Sequence, residues 1–227
     1  MRVVHAGGLE GARSAGGTVV VIDVLRAFTV SAYALAGGAA ECRLVAGVEE
    51  ARGLAARLPG AIVSAEVEGL PVPGIAISNS PTMIRDLDLR GRVLVQRSSS
   101  GTQCVVAAGR AERLYAAGLV VARATATAIR EAAPEVVTLV ASGADRGHSE
   151  DRACADYLEA MLYGRRCDLE QLLRPLRRSP RHAELMAGGW PGFPASDLEL
   201  ALAADRFDFA MPVSRDELGV RLTAATL

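Results

Sequence analysis

Apolar positions along the chain follow two periods. Short runs of aliphatic and β-branched residues recur at 2–5, 19–22, 41–46, 61–65, 92–96, 113–117 and 136–141. Runs this brief read as strands, and the unbroken Val19-Val20-Val21-Ile22 reads as a strand buried on both faces. Helical spacing fills the intervals. One helix spans 28–36 and stops at Gly37-Gly38, and a second spans 48–58 and stops at Pro59-Gly60. A third opens with Ser80 as cap and Pro81 at the first helical position, and 103–109 and 122–132 follow. Further helices begin at Ser149 and at Ser179-Pro180, and Ser196 with Glu199 has the form of a capping box. Residues 6–17 and 67–77 read as loops, and 207–213 as a last strand.

Alternation of strand and helix predicts an α/β fold in a single domain over 1–227. One rhythm occurs twice. Residues 19–66 run strand, helix ending in Gly, strand, helix, strand, and 93–142 repeat it. Ala36-Gly37-Gly38-Ala39-Ala40-Glu41 is answered by Ala107-Ala108-Gly109-Arg110-Ala111-Glu112. The echo suggests two similar, intertwined halves whose functional loops meet on one side, although regular α/β alternation also makes such rhythms.

Strand ends carry the candidate chemistry. Asp23 ends the 19–22 strand and Arg26 follows it by three residues. Ligands of open α/β sheets bind outside the carboxyl ends of strands, where a carboxylate can hold a metal and a guanidinium can grip an anion. The same pair would also serve as a helix cap and its partner. Glu66 ends the 61–65 strand. Ser99-Ser100-Gly101-Thr102 enters a helix with hydroxyls and amides that suit an anion or an ordinary cap; it lacks the glycine spacing and lysine of a P-loop. Ser142-Gly143 begins a second small-residue loop that contains His148. Glu150 and Asp151 follow in a first helical turn, where acids also suit the helix dipole. Arg174, Arg177, Arg178 and Arg181 read as a solvated basic face, and His5 and His182 have no supporting context.

Composition removes several function classes. The net charge is -1, half of the residues are hydrophobic and 22% are charged, which gives no nucleic-acid footprint and no membrane patch. All basic residues are arginine, so no lysine is present for a Schiff base. Cys42, Cys104, Cys154 and Cys167 form no C-x-x-C pair and read as reduced thiols. No signal peptide or membrane-length apolar run is read, so a cytoplasmic protein is expected.

Taken together, Val21-Ile22-Asp23-Val24-Leu25-Arg26-Ala27, Glu66, Ser78-Asn79-Ser80-Pro81, Ser99-Ser100-Gly101-Thr102 and the Ser142 loop with Glu150-Asp151 resemble, in order, the motifs of the 2-phosphosulfolactate phosphatase family. The resemblance runs over 20–213. It implies a three-layer α/β sandwich with a mixed, largely parallel sheet. It also implies a Mg²⁺-dependent phosphomonoesterase that converts 2-phosphosulfolactate to sulfolactate, a step toward coenzyme M. Ala65, Ser100 and Ser142 depart from the Gly, Asn and Cys common in the family. Leu25 argues against a D-x-D phosphatase, and water activated by Mg²⁺ is the economical chemistry. On this reading Asp23, Glu66, Glu150 and Asp151 are candidate metal ligands. Asp23, Arg26, Glu66, Asn79 and His148 are candidate catalytic groups, with His148 as acid for the leaving alcohol. Ser99, Ser100, Gly101, Thr102, Ser142 and Gly143 would hold phosphate. The partner expected is a small phosphorylated organic acid, and the assembly a homodimer. Two other readings stay open: a phosphatase for another phosphorylated hydroxy acid, and a non-catalytic binder of an anionic metabolite.

Overall fold

Spatial order in the sheet departs from chain order. The chain runs β1 (Arg2–Gly7), α1 (Gly8–Ser14), β2 (Gly17–Ile22), α2 (Ala27–Ala36), β3 (Glu41–Val45), α3 (Val48–Arg57), β4 (Ile62–Val67) and β5 (Leu70–Pro71). It continues α4 (Pro81–Ile84), β6 (Val93–Arg97), α5 (Gly101–Ala107), β7 (Ala111–Ala117), α6 (Ala122–Ala132), β8 (Val136–Ala141) and α7 (Ser149–Leu162). Then come α8 (Leu169–Arg177), α9 (Pro180–Met186), α10 (Ser196–Leu202), β9 (Phe209–Ala210), β10 (Pro212–Asp216), β11 (Gly219–Leu222) and β12 (Ala225–Thr226). The computed structural model describes residues 1–226. Its 10-stranded sheet has the order β1-β8-β2-β7-β10-β11-β3-β6-β4-β5.

Two parallel blocks make up most of this sheet. One is β1-β8-β2-β7 and the other is β3-β6-β4. The antiparallel hairpin β10–β11 lies between them. Each block mixes the two rhythmic segments: β2 lies between β8 and β7, and β6 between β3 and β4. Exchanging each strand of 19–66 with its counterpart in 93–142 reproduces the order of these six strands read backwards. The fold is thus the α/β class that the alternation predicted, with a mixed, mostly parallel sheet flanked by helices.

Three antiparallel steps separate the blocks, so their strands point in opposite senses along the sheet. A flat sheet would leave β2 and β6 about 24 Å apart, five steps of about 4.8 Å, with their C-terminal ends on opposite edges. Yet the Gly101 amide, just past β6, donates to Asp23 Oδ2, just past β2, at 2.9 Å. The sheet therefore twists and bends through the hairpin, in keeping with the accumulating right-handed twist of strands. Helices α2 and α5 fill the bend. α2 packs on β7 of one block and on β3 and β6 of the other, and α5 packs on β2, β3 and β6. The sequence of α2 is apolar on nearly every side, as a helix enclosed on all sides must be, and Phe28, Val30 and Ala32 have no exposure.

Two local expectations differ from the structure. The 6–17 segment contains α1, which its few apolar residues do not announce, although Ala12 is buried. The last strand is not 207–213. Phe209–Ala210 forms a short pair with β12, and the chain then enters the sheet as β10 and β11. In β11, buried Val220 and Leu222 alternate with exposed Gly219 and Arg221, a period-2 pattern too short to stand out. Among the described residues no helix is long and apolar enough to cross a membrane.

Leu222 is fully buried where the hairpin meets β3. Leu222→Ala is expected to cost about 2–5 kcal/mol through lost burial and a cavity. Urea unfolding checks this; a midpoint equal to the parent's would show that the hairpin is not a structural link.

Candidate active site

The loops after β2, β4, β6 and β8 converge on one cleft of about 240 Å³. Asp23, Arg26, Glu66, Asn79, Ser99, Ser100 and His148 line it, together with Glu68, Arg146 and Arg181. Leu25, Leu185, Trp190 and Phe193 form its apolar side.

Two amides of the 98–102 loop, those of Ser99 and Gly101, hold carboxylates. Asp23 Oδ1 accepts from the Ala27 amide, the first of α2, at 2.9 Å, and its Oδ2 accepts from Gly101. A Cβ on Gly101 would lie 2.6 Å from that oxygen, so glycine is needed for the approach. Glu66 accepts from the Ser99 amide, from the Ser99 hydroxyl at 3.0 Å and from the Gly69 amide at 2.6 Å. Ser98 and Thr102 bond each other, amide to hydroxyl in both directions. Asp151 plays the same part behind the cleft: it accepts from the amides of Val24 at 2.8 Å and Gly143 at 2.9 Å, and from the Ser142 hydroxyl at 3.3 Å.

Gly101, Thr102, Ser142, Gly143, Glu150 and Asp151 therefore sit behind the wall of the cleft and do not line it. The expected phosphate cradle is in this structure a cradle for the protein's own carboxylates, because those acids take the amides first. Gly143 has a packing role as well, since a Cβ there would meet His148 Nδ1 at 2.1 Å.

Burial raises the carboxyl of Asp23 to about 6; the Ala27 and Gly101 amides pull against this, and the charges of Glu66 and Glu150 add to it. Asp151 is raised well above the ordinary carboxylate range by burial, then by Asp23 and Glu150. Glu150 has no exposure; its Oε1 accepts from Arg181 Nη1 at 2.6 Å, and its Oε2 has no partner. Burial first, then the charge of Arg181, lowers His148 and favours its neutral ring.

Arg26 is buried and largely committed. Its Nη1 donates to Asp197 Oδ2 and to the Gly192 carbonyl, each at 2.7 Å, and Nη2 donates to the Ser78 carbonyl at 3.1 Å. Its guanidinium lies 4.1 Å over the Phe193 ring. Asp197, also without exposure, accepts from Ser80 Oγ at 2.7 Å and from the Thr82 amide at 2.9 Å. Sequence reasoning missed Asp197, which no local motif marks: an acid in the first turn of α10 also suits the helix dipole. Ser196 instead bonds Thr82 Oγ1 at 2.8 Å. Asn79 adopts φ 60, a conformation that asparagine tolerates. Its Oδ1 accepts from Gln96 Nε2 at 2.7 Å, which leaves its own amide hydrogens for the cleft. Ser80 caps α4 as expected, accepting from the Met83 amide. Arg181 corrects another expectation: α9 turns it into the cleft, away from the solvated face assigned to its neighbours.

Asp23 and Glu66 are the two candidate metal ligands that line the cleft. Among the described residues, no three of the four candidate acids bring ligand atoms within 4.8 Å of one another; His5, Asp156 and Glu159 do so, outside the cleft and partly open to solvent. Mg²⁺ keeps several waters and needs one or two carboxylates. The Asp23 and Glu66 carboxylates at the cleft are hard oxygen donors and fit such an ion.

A model of the family described as 2-phosphosulpholactate phosphatase matches residues 7–185. The chain belongs to this family. A relative named probable 2-phosphosulfolactate phosphatase, from Bacillus subtilis, is 28% identical over 200 residues, 87% of each chain. One of the same name from Carboxydothermus hydrogenoformans is 38% identical over 145 residues, 63% of this chain and 60% of its own. A third, from Thermus thermophilus, is 34% identical over 126 residues, 55% and 52% of the two chains. The resemblance carried by the motifs, and the class of phosphoric monoester hydrolases that it implies, are thereby supported across most of the chain.

Two tests follow from the buried charges. Asp23 keeps its proton up to about pH 6 in the folded protein, against 3.8 ordinarily. The metal-free fold thus binds more protons than the unfolded chain between those values, and its stability falls as pH rises through that window. Thermal melts in chelator should show the decline, and Asp23→Asn should flatten it. Asp197→Ala strands the Arg26 cation and should cost about 3–5 kcal/mol in urea unfolding; a cost below about 1 kcal/mol would refute the pairing as a structural tie.

Proposed function

We propose that the protein is a Mg²⁺-dependent phosphomonoesterase that hydrolyses 2-phosphosulfolactate to sulfolactate and phosphate, the activity in its relatives' names. The observation that carries this reading is the meeting of Asp23 and Glu66 with Arg26 and His148 in a single cleft, on the family's own motifs. Asp23 and Glu66 would hold the ion. Bound there, Mg²⁺ would lower the pKa of a water and offset phosphoryl charge. Arg26, with Nε and part of Nη2 uncommitted, adds positive charge where the phosphoryl oxygens gather it. His148, kept neutral, can take the proton of the attacking water at a ring nitrogen. Asn79 donates an amide hydrogen to orient water or substrate. The apolar side excludes water from the reacting group. Cys42, Cys104, Cys154 and Cys167 are all free, which supports the expected cytoplasmic setting.

A panel of phosphomonoesters, assayed with Mg²⁺ and with chelator, tests the reading. The parent should release phosphate from 2-phosphosulfolactate with Mg²⁺ alone. Asp23→Asn keeps one acceptor, for the Ala27 amide, sets an NH₂ against the Gly101 amide and is a poorer Mg²⁺ ligand; it should lose at least about 100-fold in kcat/KM, and circular dichroism with a Mg²⁺ titration separates a lost metal from a lost fold. Near-parental turnover by this variant, or parental turnover in chelator, would end the proposal for the ion.

A further inference from the structure

Three arginines line the cleft, and they differ in how many donors remain free. Arg26 gives Nη1 to Asp197 and Gly192 and one Nη2 hydrogen to Ser78, which leaves Nε and one Nη2 hydrogen. Arg146 gives both ends of its fork to Glu68, at 2.6 and 3.2 Å. Arg181 makes one bond, from Nη1 to Glu150 Oε1 at 2.6 Å. Its Nε and Nη2 have no protein partner, and neither is a sealed, unsatisfied atom. A guanidinium pinned at one corner by a buried carboxylate, with the rest of its fork open to a cleft, is pre-organised for an oxyanion.

What surrounds Arg181 indicates the kind of oxyanion. Leu185 lies one turn further along α9 and lines the same cleft, as do Trp190 and Phe193. The phosphoryl-directed groups Asp23, Glu66 and Ser99 come from the sheet's loops, whereas Arg181 and its apolar neighbours come from the 180–193 segment. The cleft therefore offers a second pole, one forked cation beside an apolar surface. That pole fits the carbon end of a short substrate bearing its own anionic group.

We propose that Arg181 determines specificity by binding the second anionic group of the substrate, a carboxylate or sulfonate on the carbon skeleton of the phosphomonoester. This rests on the phosphatase reading above. A site built to hydrogen-bond such a group discriminates strongly against an ester that lacks it, because the open donors are then left unpaired.

Four esters on one skeleton test the assignment: isopropyl phosphate, 2-phospholactate, 2-phosphooxypropane-1-sulfonate and 2-phosphosulfolactate. The readout is each acidic ester's kcat/KM divided by that for isopropyl phosphate. In Arg181→Gln this ratio should fall at least tenfold, chiefly through KM, for the ester whose group Arg181 holds. The carboxylate and sulfonate arms identify which group that is. Arg181→Lys retains a cation for Glu150 but not the fork; it should fold if the Gln variant does not, and should also lose selectivity, by a smaller factor. A ratio within twofold of the parent's in a folded variant overturns the proposal. Failure of the phosphatase reading would show differently, as a parent that hydrolyses none of the four. Calorimetric binding of sulfolactate, which carries no phosphate, then decides: at least tenfold weaker binding by Arg181→Gln supports Arg181 as the oxyanion receptor. Equal binding, or no binding by the parent, refutes it.

Discussion

Joining the two blocks of the sheet at their active ends depends on a charge-assisted hydrogen bond, from the Gly101 amide to Asp23 Oδ2. The amide belongs to the loop after β6 and the carboxylate to the loop after β2, strands that a flat sheet would keep far apart. Gln96 reinforces the join from within β6: its Nε2 donates to the Ala27 carbonyl at 2.7 Å and its Oε1 accepts from Ser31 Oγ at 2.6 Å. Arg26 extends it by holding the Ser78 and Gly192 carbonyls. Bending the sheet around α2 and α5 is consistent with these contacts, because they exist only when the two blocks face a common centre.

Such a centre is electrostatically expensive. Asp23, Glu66, Glu150 and Asp151 are all buried, and a buried carboxylate loses far more hydration than one amide returns. Several amides per acid reduce the cost without removing it. Burial first, then neighbouring acids, raises both Asp23 and Asp151. Proteins depart from local consistency in this way mainly at functional sites.

Much of this was legible in the sequence, for identifiable reasons. Strands and helices with clear periods lie close to where those periods put them, and Asp23, Glu66, Ser99 and His148 meet in one cleft because each ends or follows a strand of the same sheet. Asp23 is not the N-cap of α2, which is Arg26: one of its oxygens accepts from the first amide of α2 while the other binds the opposite loop. Arg181 and Asp197 were illegible because their roles come from partners 31 and 171 positions away. No local pattern distinguishes an arginine in a basic run from one that enters a cleft. The β10–β11 hairpin was missed for a related reason, since its importance lies in what it joins and its own sequence is short and half polar.

The reversed strand order gives the site its internal logic. The loops after β2 and β6 occupy matching places in the two rhythmic segments, yet they carry complementary chemistry. One supplies an acceptor, Asp23, and a cation, Arg26. The other supplies donors, the amides of Ser99 and Gly101 and the Ser99 hydroxyl. Two identical loops facing each other would set like against like, acid against acid or amide against amide, and neither pairing could be satisfied in a buried setting. Matching positions with opposite hydrogen-bonding character let the loops lock together. That lock leaves the cleft-facing groups of Asp23, Ser99 and Asn79 directed at the same small volume.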